Sequence, residues 1–193
     1  MPKAPGAALP ILVNADAIIV APSSLSQRRL WMLDHLYGQA AAYNVPSAHR
    51  LTGALDVAGL QRAVDVLVQR HDALRTSFRF EGGDLVQVIV PQLGVPITFE
   101  SLEHLPESRR FSGALDASSI EGAVPFNLER VPLFRARLFR LTERDHVLSF
   151  CFHHTIFDGW SESVFMNELT TVYDAHAHGR EGRLAPAPAQ YTD

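Results

Sequence analysis

The sequence predicts a mixed α/β lobe, an α+β sandwich in which amphipathic helices pack against β-sheet. Three patterns carry that expectation. Val57, Leu60, Ala63, Val64, Leu67 and Val68 form one apolar stripe at helical spacing. Leu74, Thr76, Phe78 and Phe80 alternate with Arg75, Ser77 and Arg79, the period of a strand with one buried face. Val147 to Phe152 is almost continuously apolar, as expected of a strand covered on both faces.

Taken in order, residues 1–21 are expected to be an N-terminal tail and lead-in. They are rich in Ala and Pro and end in the apolar Ala17-Ile18-Ile19-Val20, which suits a strand or an extended lead-in. Ser24-Leu25-Ser26-Gln27 is an S-x-x-Q capping box, with Ser24 as N-cap and Gln27 reaching back to its amide. Leu30, Leu33, Leu36 and Tyr37 continue that helix, and Gly38 stops it. Asp56 is a good N-cap for the second helix, which ends near Arg70-His71. The alternating run to Phe80 and the run Leu85 to Val90 are then two strands of a hairpin, turned by Glu81-Gly82-Gly83-Asp84.

Pro91 and Pro96 close that unit. Ser101 to Asn127 is polar with scattered apolar residues and has room for one helix. Leu133 to Leu141 fits strand or helix by pattern alone. Pro132 before it, the turn Thr142-Glu143-Arg144-Asp145 and the apolar run after it favour a second hairpin. From Ser161 to His178 helical spacing returns through Val164, Phe165, Leu169, Val172, Tyr173 and His176, with Gly179 past the end. Residues 22–183 thus form the lobe, and the Ala/Pro-rich residues 184–193 read as the start of a linker.

Composition narrows the function. At 193 residues and 47% hydrophobic, the chain can bury a core without staples. Its net charge of −4 gives no electrostatic reason to bind nucleic acid. The single cysteine, Cys151, cannot make an internal disulfide, and no Cys/His spacing suits zinc. On its apolar strand Cys151 reads as core packing rather than as a nucleophile. No apolar run approaches the ~20 residues of a membrane span. The stretch Leu9 to Val20 is broken by Pro10, Asn14 and Asp16 and makes a poor signal peptide. The expected location is the cytoplasm, with no membrane partner.

One segment carries chemistry: His153-His154-Thr155-Ile156-Phe157-Asp158-Gly159-Trp160-Ser161. It links a buried strand to a helix, where reactive groups are commonly held on a rigid scaffold. Adjacent histidines at a strand end point to opposite sides, so one of them can face a given cleft. A neutral imidazole there could accept a proton near pH 7. The competing reading is a hydrogen-bonded histidine beside a core strand. Asp158 at the mouth of the helix is favoured by its N-terminus and could fix the loop by pairing with a cation. Gly159 would let the backbone turn sharply or approach a substrate. A metal site is disfavoured, because His153, His154 and Asp158 lack a fourth ligand.

These residues resemble the HHxxxDGxS motif of condensation domains of nonribosomal peptide synthetases. Ser24-x-Ser26-Gln27-x-Arg29-Leu30-Trp31-x-Leu33 resembles the family's first block, with Ser26 where Ala is usual. Arg70-His71-Asp72-Ala73-Leu74-Arg75-Thr76-Ser77-Phe78 resembles its RHxxLRTxF block. Tyr43-Asn44-Val45-Pro46 and Pro125-Phe126-Asn127-Leu128 fit the text between. The resemblance spans about Pro22 to Asp193. Trp160 precedes Ser161 rather than following it, unlike epimerisation domains, and heterocyclisation domains carry aspartates in place of the two histidines.

The resemblance implies a chloramphenicol-acetyltransferase-like lobe, the N-terminal one of two, with a C-terminal lobe not included. It implies amide formation between a donor acyl thioester and an acceptor aminoacyl thioester. Both would arrive on 4'-phosphopantetheine arms of carrier proteins, with no cofactor bound directly. By that resemblance His154 is the catalytic histidine, as base or by positioning the amine, and Gly159 is a backbone contact to the reacting groups. His153 is a structural partner. Asp158 is structural too, paired with Arg70 in preference to Arg75, whose strand position suggests a solvated side chain. Donor and acceptor carriers, the second lobe and neighbouring synthetase domains are the implied partners, and the isolated lobe is expected to be inactive. A related standalone HxxxD acyltransferase, or a non-catalytic docking module for carriers or tailoring enzymes, is the alternative.

Overall fold

The computed structural model describes residues 18–38, 41–180, 182, 184–186 and 189–190, so most of the expected tail lies outside the described residues. Two sheets and four helices are arranged in layers. Strand β1 (Ile19–Pro22) settles the apolar lead-in as a strand, pairing antiparallel with β4 (Asp84–Ile89). β3 (Thr76–Glu81) pairs on the other side of β4, giving the order β1-β4-β3. Glu81 pairs with Asp84, so Gly82 and Gly83 alone make the turn. Their φ values of 60° and 91° are those a two-residue hairpin loop requires, which is why glycines stand there.

Helix α1 (Leu25–Leu36) begins with the expected capping box: Ser24 Oγ accepts from Gln27 N, and Gln27 Oε1 accepts from Ser24 N. It lies over the β3–β4 hairpin, with Ser23 Oγ on the Leu85 carbonyl and Trp31 stacked 6.0 Å from Phe80. Only the first half of β3 enters the core. Phe80, expected on the buried face, is 61% exposed because the hairpin tip projects past the core.

The second sheet has the order β2-β7-β6-β5. The expected hairpin is β6 (Phe134–Thr142) and β7 (Asp145–His153). Two further strands were not legible in the pattern. β2 (Asn44–Thr52) runs antiparallel along the whole of β7, and β5 (Ile97–Ser101) lies parallel to β6. β2 carries Pro46 and the charged Arg50, as an edge strand can. Helices α2 (Val57–Arg70) and α4 (Gly159–Ala177) cover one face of this sheet. There Leu67 and Val64 of α2 and Phe165 and Leu169 of α4 share a core with Leu138, Phe150 and Phe152. Helix α3 (Glu107–Gly122), the one helix expected between 101 and 127, covers the other face. Its Ala114 packs with Leu102, Phe139, Leu141 and Val147. With helices on both sides, β7 is buried along nearly its whole length, and its apolar run follows from that.

Arg75 departs from expectation. It belongs to a 3₁₀ turn (Asp72–Arg75) before β3, not to the solvated face of a strand, and it is 6% exposed. Its guanidinium satisfies the carbonyls of Val68, Gln69 and Val90 and the carboxylate of Asp72. A buried arginine is tolerated because its donors find such partners.

In the segment expected to start a linker, Leu184 packs on the core and Ala185 O accepts from Arg70. The Gln190 amide donates to Arg70 O and accepts from Asp72 N. These described residues lie along the end of α2. Among the described residues, no helix is long and apolar enough to cross a membrane.

Candidate functional site

β7 delivers His153 and His154 to a five-residue loop that enters α4. The floor of this loop is aromatic: Phe152 stacks on Phe157 with ring centroids 3.7 Å apart and on Phe134 at 5.1 Å, and meets Phe165 edge-on. The edge-on contact with Phe165 is a favoured ring geometry within this packed floor. The two histidines part as strand alternation requires.

His153 turns inward and is 1% exposed. Its Nδ1 accepts the Thr155 N–H at 3.2 Å and lies 2.8 Å from Thr155 Oγ1, which places the ring proton on Nε2. Tyr43 and Phe126 meet the ring edge-on. Burial pushes its pKa down to about 4, so the ring is neutral at pH 7.

His154 turns outward and is exposed. Its N–H donates to Tyr43 O at 2.9 Å, and its Nδ1 lies 2.7 Å from Phe157 O. A carbonyl can only accept, so the neutral ring carries its proton on Nδ1 and keeps a lone pair on Nε2. An open cleft of about 480 Å³ stands in front of this loop. Arg29, Leu30 and Leu33 of α1 line one side, and Tyr43 and Ala73 contribute to the rest. A smaller cavity of about 200 Å³ shares Ile156, Phe157 and Ser161 with it. Trp160 borders that cavity and is 80% exposed.

Asp158 is the N-cap of α4. Its Oδ1 accepts from Ser161 N at 2.8 Å and from Ser161 Oγ at 2.7 Å. Those bonds, the backbone one foremost, hold its carboxyl below the usual carboxylate range. The expected pairing with an arginine is corrected on both counts. Arg70 Nε lies 3.1 Å from Glu168 on α4, which His71 Nε2 also reaches at 2.6 Å, and Arg75 is bound to Asp72. Both arginines sit where α2 passes into β3, and nearer acceptors take their donors first. A helix start supplies the stabilising partner for Asp158 without a cation.

Gly159 is the first residue of α4, is exposed, and a Cβ built on it would meet nothing within 4 Å. It is not among the glycines with positive φ. The sharp turn that a glycine would permit is therefore not its use here.

Three contributors escaped the sequence reading. The carbonyls of Phe157 and Tyr43 orient His154, and the side chain of Gln87 joins Gln27 beneath the loop. Main-chain acceptors leave no residue-type signal, and Gln87 reads as one polar position in an alternating strand. Among the described residues, no group of three or more His, Cys, Asp or Glu side chains could hold a metal ion.

The chain as a whole is similar to known proteins. Residues 19–193 match the family model described as Condensation domain. A linear gramicidin synthase polypeptide of Brevibacillus parabrevis is 41% identical over 172 residues, which are 89% of this chain and 2% of that protein. Phosphinothricin tripeptide synthetase PhsC of Streptomyces viridochromogenes is 36% identical over 189 residues, 98% of this chain and 17% of that one. The solved first condensation domain of the CDA synthetase superposes with a TM-score of 0.80 at 24% identity, over 88% of this chain and 43% of that domain. That likeness shows the fold, a mixed α/β lobe as the sequence predicts. The chain spans less than half of the solved domain and a small part of the curated relatives.

Proposed function

The chain belongs to the condensation-domain family, and we propose that it is the N-terminal lobe of a domain that forms amide bonds during nonribosomal peptide synthesis. One observation carries the proposal: His154 Nδ1–H is held on Phe157 O, which leaves the Nε2 lone pair of an exposed imidazole at an open cleft. That is the tautomer a proton acceptor needs.

In the proposed reaction the donor acyl group and the acceptor aminoacyl group arrive as thioesters on phosphopantetheine arms of two carrier proteins. The acceptor amine nitrogen attacks the donor carbonyl carbon, the new C–N bond forms and the C–S bond breaks. His154 Nε2 takes the proton lost by nitrogen and returns it to the departing thiolate. Gly159, free of a side chain at the helix start, allows the reacting groups to approach the backbone. His153 and Asp158 act structurally, one as a neutral buried ring and the other as a cap. Both thioesters must be held in attack geometry, and the second lobe supplies the opposite wall.

The test uses the complete two-lobed domain with loaded donor and acceptor carriers, and product is identified by mass spectrometry. His154→Ala should lower the rate by ~10²–10⁴-fold with the fold intact by circular dichroism. The isolated lobe should form almost no product, because positioning between lobes can supply ~7–11 kcal/mol of barrier reduction. Wild-type turnover by His154→Ala, or efficient turnover by one lobe, would overturn the proposal.

A further inference from the structure

Gln27 does more than close a capping box. It is 3% exposed, and each polar atom of its amide is engaged. Oε1 accepts from Ser24 N at 2.9 Å. Nε2 donates to Gln87 Oε1 at 2.9 Å and to the Thr155 carbonyl at 3.4 Å. Gln87, also 3% exposed, donates its own Nε2 to Pro22 O at 2.9 Å. These bonds fix the direction of both amides, and the acceptor of Gln27 faces the helix start while its donors face the sheet and the loop.

Glutamate closes a capping box as well as glutamine does. Glutamine alone offers an acceptor to Ser24 and donors to two further oxygens. Thr155 is 4% exposed and stands between His154 and Phe157, whose carbonyl holds the His154 ring. Helix α1 forms one wall of the cleft through Ser26, Arg29, Leu30 and Leu33, and the loop His154–Asp158 forms another. The Gln27 amide ties these walls together from behind.

We propose that Gln27, backed by Gln87, is a positioning residue for amide formation: it holds the Thr155 peptide against α1 and so sets the place of His154 Nε2 in the cleft. The inference rests on the role given to His154 above. A displacement near 1 Å at a reacting group is enough to cost ~10²-fold in rate, so a bond of this kind is visible in kinetics.

Three variants of the complete two-lobed domain separate positioning from stability. Gln27→Glu keeps the acceptor for Ser24 and loses both donors. Gln27→Met loses both functions without burying a charge, and so decides the matter if the glutamate variant misfolds. Ser24→Ala breaks the capping box and leaves the Gln27–Thr155 bond in place. With loaded carriers, both Gln27 variants should lower kcat by about ten- to a hundredfold, with KM for each carrier within about twofold. Ser24→Ala should melt earlier yet keep kcat within about twofold. Amide hydrogen exchange across residues 153–158 should quicken in the Gln27 variants and not in Ser24→Ala.

Wild-type kcat with unchanged exchange in Gln27→Met would overturn the inference, as would kcat losses that follow melting temperature across all three variants. Wild-type activity in His154→Ala would instead overturn the role of the histidine. The exchange measurement, which needs no reaction, would still report whether Gln27 holds the loop.

Discussion

Asp158→Ala takes two hydrogen bonds from the start of α4, both made by Oδ1 with Ser161. Loss of an N-cap costs ~1 kcal/mol, within a range of about 0.5–2. Loss of the carboxylate charge beside the helix terminus adds ~0.3–1 kcal/mol. The expected total is therefore about 1–2 kcal/mol, against ~3–5 kcal/mol had Asp158 been half of a buried ion pair. For a chain of this size 1 kcal/mol moves the melting temperature by about 2–4 °C, so Asp158→Ala should melt about 2–8 °C lower at pH 7. Asp158→Asn, an equally good cap without the charge, should recover most of the difference. The carboxyl titrates lower in the folded chain than in the unfolded one. Its contribution is therefore complete above the unfolded value of 3.8 and fades as pH falls below it through the folded value. Thermal denaturation of wild type and both variants at pH 7, 5 and 3 measures this. A loss of 3–5 kcal/mol, an asparagine variant no better than alanine, or a gap undiminished at pH 3 would refute the capping argument.

Two further stability predictions follow from buried or half-buried partners. His153 is held neutral with its pKa near 4 instead of 6.5, so the unfolded state binds a proton first. Its stabilising effect is complete above pH 6.5 and falls away toward pH 4, by up to about 3 kcal/mol. Urea unfolding between pH 7 and 5 should show a steeper loss for wild type than for His153→Gln, and equal slopes would refute the assignment. Glu168→Ala removes the carboxylate shared by Arg70 and His71. It should cost ~1.5–3 kcal/mol in denaturant midpoint measurements, as charged hydrogen bonds do, and a silent substitution would make the cluster peripheral.

The expected cost of removing Asp158 changed with its partner, and that marks a boundary between what residue patterns reveal and what they do not. The two hairpins, α1, α2 and α4 were legible because each writes a local period into the chain: 3.6 for the stripe Val57 to Val68, two for the start of β3, and an unbroken apolar run for β7. β2 and β5 were not, since an edge strand need bury only part of itself and its pairing is decided by distant residues. Phe80 shows the same limit from the other side: its period is right, but the core ends before the strand does.

At the site, the sequence by itself determined which side chains stand at the end of β7 and the start of α4. Strand alternation required His153 and His154 to part, and the residue pattern around them pointed to the family. Only the tertiary structure decided which histidine is buried, which tautomer each carries, and what Asp158, Arg70, Arg75 and Gln27 hold. The reason is physical. A period along the chain reports which face of an element is apolar. A polar group's partner is settled by which donors and acceptors the fold brings within about 3 Å, and several of those that matter here are main-chain atoms that every residue type possesses.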